Sequence, residues 1–112
     1  MDIIYDMGEL DNTLSAAEFE WDRGNIDKNW ERHHVAYVEC EEVLLGGQFI
    51  ITKDTAHSME EDRYRVLGKT DEGRILFLAF TLRGGKIRVN TARDAHKKER
   101  KAYEEAEKSA SL

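Results

Sequence analysis

Cationic side chains crowd one stretch of this chain. Residues 83–101 hold Arg83, Lys86, Arg88, Arg93, Lys97, Lys98, Arg100 and Lys101, eight of the 17 Lys and Arg, against Asp94 and Glu99 alone. That segment is formally +6 in a 112-residue chain of net charge −6. The total argues against a nucleic-acid partner, since phosphate binding draws on Lys and Arg. The local excess argues for an anionic partner at one side of an acidic body. A solvated charge run is the plainer reading of the same residues. Two placements favour the first. Spacing predicts a helix over residues 95–108, with His96, Lys97, Lys98, Arg100 and Lys101 at its start and Glu104, Glu105 and Glu107 toward its end. The helix macrodipole prefers the reverse by ~0.3–1 kcal/mol per charge, whereas cations beside free backbone N–H groups suit a phosphate. Arg63 and Arg65 alternate onto one face of an expected strand, as Lys86 and Arg88 do on another.

The elements that must hold these groups follow from periodicity. Residues 2–5 and 18–21 read as short strands flanking a polar loop, and are candidates to pair with each other. Asp22 is placed to cap a helix over 22–33 whose buried face is Ile26, Trp30 and His33. A second helix, 37–45, buries Tyr37, Cys40, Val43 and Leu44, and Gly46-Gly47 ends it. Strands follow at 48–53 and 63–67, separated by an acidic loop, then at 75–82 and 86–92. The third of these is almost continuously apolar, as befits a central strand. Asp71-Glu72-Gly73 and Arg83-Gly84-Gly85 are turns, and Asp94 is expected to cap the last helix. Should the central strand pair with both neighbours, the basic pairs at Arg63/Arg65 and Lys86/Arg88 share one side of the sheet. The expected class is α+β: an antiparallel sheet with two N-terminal helices and one C-terminal helix packed on it, in one domain spanning 1–112, with 1–18 as an extension.

Other chemistries find little support. No stretch approaches the ~20 apolar residues of a membrane span, and the acidic start (Asp2, Asp6, Glu9, Asp11) is unlike a secretory signal. A single cysteine, Cys40, fits a reducing cytoplasm. His33, His34 and Cys40 lack a fourth ligand at useful spacing, so no metal or other cofactor is expected. Trp21 and Trp30 read as core rather than as base-stacking platforms.

Phe19-Glu20-Trp21-Asp22 starts a set of short matches in order. Asn29, His33 and Val35 follow at fixed spacing, then Glu39, then Arg63 through Gly68 and Arg74 to Phe80-Thr81 and Arg83. Arg88, Ala92-Arg93, Ala95, Glu99-Arg100 and Tyr103 close the set. Over residues 19–104 the chain resembles the BrnT family of bacterial toxins. It departs from that pattern at Asn25, where members often carry Lys, at His34, where they often carry Gly, and at Asn90-Thr91 in place of Ile-Ser.

The resemblance implies a RelE-like fold, ribonuclease activity that arrests growth, and a BrnA-like ribbon-helix-helix antitoxin. It also implies a two-plus-two complex that reaches operator DNA only through the antitoxin, with a homodimer as an alternative state. Metal-free RNA cleavage needs a base at the 2′-hydroxyl, cations for the crowded phosphate and an acid for the leaving oxygen. Arg63, Arg88 and Arg93 are assigned to phosphate, because guanidinium keeps its charge and holds two oxygens at once. His33 is the candidate acid or base, since His titrates near neutrality unaided. The competing reading makes it a hydrogen-bonded helix-face histidine. Lys28 and Glu99 are reserve candidates, although Glu99 also suits an i,i+4 contact with Tyr103. Arg65, Lys86, Lys97 and Arg100 are candidate RNA-binding residues. The alternative function is a toxin-fold protein without activity, serving as antitoxin-binding co-repressor or as a small interaction module.

Overall fold

The computed structural model describes residues 18–46, 48–57 and 61–110. The strand expected at 2–5 and the loop at 11–15 lie outside these. Elements run β1 (Glu18–Phe19), α1 (Arg23–His33), α2 (Tyr37–Leu45), β2 (Phe49–Lys53), β3 (Asp62–Lys69), β4 (Ile75–Arg83), β5 (Lys86–Asp94) and α3 (Lys97–Ala110), with a 3₁₀ turn at Thr55–His57. The sheet order is β1-β5-β4-β3-β2. β2 to β5 form an antiparallel meander, whereas β1 pairs parallel to β5 through Glu18 opposite Lys86 and Phe19 opposite Ile87. The sheet is therefore mixed rather than purely antiparallel.

β4 is the middle strand, which explains its unbroken apolar run. Leu76, Leu78 and Phe80 join Phe49, Ile51, Val66, Ile87 and Val89 on one face, closed by Val35, Cys40, Val43 and Leu44. The opposite face carries a smaller cluster of Ile50, Leu67, Ile75 and Phe77 beneath Ala95, Tyr103 and Ala106 of the α3 region. Gly68 permits the close approach of α2 to β3: a Cβ there would lie 2.5 Å from Val43 Cγ1. At the β4–β5 turn Gly84 and Gly85 have φ of 56° and 79°, the paired positive values of a type I′ hairpin.

α1 departs from the expected packing. Asp22 caps it with a reciprocal Asn25 bond, as the sequence suggests. Its buried residues, however, are Asn25 and Asn29, and Trp30 is 52% exposed. The helix packs along the outer edge of β5, where strand backbone groups need polar partners, so amides displace apolar side chains from the buried stripe. Tyr37 likewise stays 42% exposed, its ring against Trp21. α3 starts at Lys97 and is not capped by Asp94. Glu99 reaches back to the His96 N–H at 2.7 Å, while Asp94 is taken by Arg74 at 2.7 Å. No described helix is long and apolar enough to cross a membrane.

Candidate nucleic-acid interface

Strand register decides which cations meet. On the α3 side of the sheet, Arg63, Thr81 and Arg88 form one row across β3, β4 and β5. Thr52, Arg65, Ala79 and Thr91 form the next, and Ile50, Leu67, Phe77 and Arg93 the third. The apolar cluster under α3 stops at this third row. The first two rows form a floor of small residues, Ala79, Thr81 and Thr91, flanked by arginines. Lys86 shares their face and ends it at the hairpin, opposite Arg83.

Adjacent strands lie ~4.8 Å apart and same-face residues ~6.7 Å apart along a strand. Arg63 and Arg88 are thus ~10 Å apart across Thr81, close enough for long side chains to share a ligand. Arg93 sits two rows away, ~13 Å from Arg88. The three arginines share a face but do not converge on one phosphate.

Each has its own setting. Arg88 donates to Asp22 at 2.8 Å and to Glu20 at 3.5 Å. Asp22 is held below its ordinary pKa, first by the Asn25 N–H and then by Arg88. The Arg93 guanidinium lies 4.1 Å from the Phe77 ring centre and donates twice to Glu99, at 2.8 and 3.2 Å. Burial works to raise the Glu99 pKa, but the bonds from Arg93 and the His96 N–H outweigh it, and the net shift is downward. Glu99 is therefore an anion at neutral pH that orients Arg93 and caps α3. Arg83 at the hairpin end is bound by Glu61 at 2.6 and 3.0 Å. Arg65, Lys86, Lys97 and Arg100 make no ion pair among the described residues.

His33 lies elsewhere. Arg88 contacts Asp22 at the start of α1, and His33 is the last of its 11 residues. At 1.5 Å rise per residue that separates the two by ~16 Å. His33 stands instead beside Asp94, whose carboxyl is lowered first by Arg74 and further by nearby Arg100 and His33 charges. It is thus at the Arg93 end of β5, but Asp94 stands opposite Leu76 on the face of α1 and α2, so His33 and Arg93 lie on opposite faces of the strand. Lys28 donates to the Asn90 carbonyl at 3.0 Å, on the strand edge rather than on the sheet face.

Arg74 is the residue that spacing missed. Its guanidinium binds Asp94 at 2.7 and 3.1 Å, Glu39 at 3.1 Å, and the carbonyls of His34 and His33 at 3.0 and 3.3 Å. One side chain thereby ties the end of α1, the start of α2 and the end of β5. Its pKa is raised, chiefly by the Asp94 bond and, against burial, by Glu39. Only its place in the family pattern marked it beforehand. Cys40 is fully buried, and burial pushes its thiol pKa up to about 12. It serves as a core residue.

The fold is a small α+β domain of three helices on a five-stranded sheet, with arginines gathered on one sheet face. The crystal structure of the ribonuclease toxin BrnT from Brucella abortus has the same fold: TM-score 0.57, 19% identity, 72% of this chain and 99% of that one covered. The family model described as ribonuclease toxin, BrnT, of type II toxin-antitoxin system matches residues 21–99. The chain belongs to the BrnT family. No curated protein sequence matches it.

Proposed function

We propose that this protein cleaves RNA without a metal, along the open sheet face, as the toxin of a type II toxin–antitoxin module in the cytoplasm. The observation that carries the reading is the common face of Arg63, Arg65, Arg88 and Arg93 beside the cationic start of α3. Because Arg88 and Arg93 stand two rows apart, they hold different phosphates of one strand. Cleavage is assigned to the Arg93 end, where the Phe77 ring and Glu99 fix the guanidinium before substrate arrives. A fixed cation there stabilises the crowded phosphate without reorganising. His33, at the same end of β5 but on the Asp94 side of the strand, is assigned proton transfer from that side, and Lys28 and Glu99 act by positioning. Arg65, Lys86, Lys97 and Arg100 bind flanking phosphates.

The neutralising partner in this reading is a BrnA-like ribbon-helix-helix antitoxin, in a two-plus-two complex that touches operator DNA through the antitoxin. A net charge of −6 is consistent with a toxin that leaves DNA to its partner. Kinship with RelE-like ribonucleases belongs to the same proposal. One observation favours a second reading, an inactive co-repressor: Arg88 and Arg93 both already have carboxylate partners. The Arg88–Asp22 pair, with the Asp22 side chain 51% exposed, is worth only ~0–1 kcal/mol, which a phosphate can displace.

The test is incubation of the purified protein with RNA in EDTA. Arg93→Ala should lower the cleavage rate by ~10²–10³ while the variant keeps the native circular dichroism spectrum at the assay temperature. Binding of the antitoxin without RNA cleavage or growth arrest would leave only the co-repressor.

A further inference from the structure

β5 carries one residue more than the strand beside it. Val89 pairs with Phe80 and Thr91 with Ala79, which leaves Asn90 as a bulge. Side chains alternate along a regular strand, so residues five apart point to opposite faces. Arg88 and Arg93 are five apart. The bulge restores the parity, setting Arg88 opposite Thr81 and Arg93 opposite Phe77 on one face. Without it, Arg93 would leave the cationic surface for the apolar core.

A bulge leaves backbone groups in need of partners. β1 shields the outer edge of β5 only at its beginning, its last contact being Glu20 N–H to the Ile87 carbonyl. From there α1 takes over. Asn25 Nδ2 donates to the Val89 carbonyl at 3.3 Å and Lys28 Nζ to the Asn90 carbonyl at 3.0 Å, while Asn29 Oδ1 accepts from the Ala92 N–H at 3.1 Å. These three residues fall at i, i+3 and i+4, one stripe of the helix. Asn25 and Asn29 are 5% and 2% exposed, and Asn29 spends an amide hydrogen on the Asn25 carbonyl at 3.0 Å. On the sheet face the Asn90 amide itself donates to the Thr81 hydroxyl at 2.7 Å, tying the bulge to the floor.

We infer that Asn25, Lys28 and Asn29 are positioning residues of the RNA site: by holding the Asn90 bulge they keep Arg93 on the face of Arg63 and Arg88. The inference rests on the ribonuclease reading. It gives Lys28 a backbone contact in place of a chemical step, and it explains why the buried stripe of α1 is amide rather than apolar.

A double-mutant cycle tests it, with a fluorescent 2′-O-methyl oligouridylate that binds but resists cleavage, read by anisotropy at fixed salt. In the native background Arg88→Ala and Arg93→Ala should each weaken binding about tenfold, one charge-assisted contact's worth. In an Asn29→Ala background Arg88→Ala keeps its effect, and Arg93→Ala falls below about twofold. Lys28→Met is exposed and serves if Asn29→Ala does not fold; there the Arg93 effect should shrink at least about threefold, the cycle cancelling the direct loss of charge. An unchanged Arg93 effect in the folded variants overturns the inference, as does equal loss of both arginine effects, the mark of general destabilisation. Absence of binding by the native protein removes the ribonuclease reading and this inference together. That outcome is distinct, because in the others native binding persists.

Discussion

Replacing Arg74 with alanine probes the link between the two N-terminal helices and the end of β5. The Arg74 side chain is 28% exposed, that of Glu39 25% and that of Asp94 63%. The Asp94 pair is solvent-screened, so it contributes ~0–1 kcal/mol despite its 2.7 Å contact. The Glu39 pair is mostly shielded and charge-assisted, worth ~1.5–3 kcal/mol. Bonds to the His33 and His34 carbonyls, at the end of α1 where carbonyls lack helical partners, add ~0.5–1 kcal/mol. Glu39 keeps the Ala36 N–H at 3.1 Å, which softens the loss. Arg74→Ala should therefore cost ~2–4 kcal/mol, or a fall in Tm of roughly 10–20 °C for a domain of this size. Arg74→Lys keeps the charge but not the planar fork, and should recover no more than about half. Urea denaturation followed by circular dichroism at neutral pH measures both. A cost of Arg74→Ala below ~0.5 kcal/mol would refute the reasoning, as would lysine performing as well as arginine.

Other outcomes follow from single features. His34 ends α1 with φ of 53°, the one positive-φ non-glycine among the described residues, so His34→Gly should stabilise by ~1 kcal/mol in the same denaturation assay. Loss of its ring contact with Trp30, at 5.3 Å, works against this, and a destabilised variant would show that contact to dominate. Gly68→Ala should cost ~1–3 kcal/mol through the Val43 clash, and Val43→Ala in the same chain should relieve part of it. Asp22, Glu61, Asp94 and Glu99 all have folded pKa values below their ordinary ones. Their contribution is complete above the unfolded carboxylate range near ~4 and is lost as pH falls through the lower folded values. The urea midpoint should therefore drop below about pH 4 and stay level just above it. A midpoint constant down to about pH 2 would show these pairs to be worth nothing.

Sequence alone determined the features that depend on local pattern. Alternation placed Arg63 with Arg65 and Lys86 with Arg88, the unbroken apolar run marked β4, and Gly84-Gly85 fixed the hairpin through its positive φ values. The capping Asp22 was equally local, since its partner Asn25 lies three residues away. Tertiary structure decided the rest. The bulge at Asn90 exists only relative to the residue count of β4, so nothing within β5 announces it; yet it moves Thr91 and Arg93 to the cationic face. The buried stripe of α1 was misread because periodicity reports apolar burial, and α1 is buried against the polar edge of a strand. Asp94 looked like a helix cap until Arg74, 20 residues earlier, claimed its carboxylate. Hydrophobic burial repeats along the chain and can be read from it. Polar pairing across the sheet joins distant residues, and only the folded backbone brings them within reach.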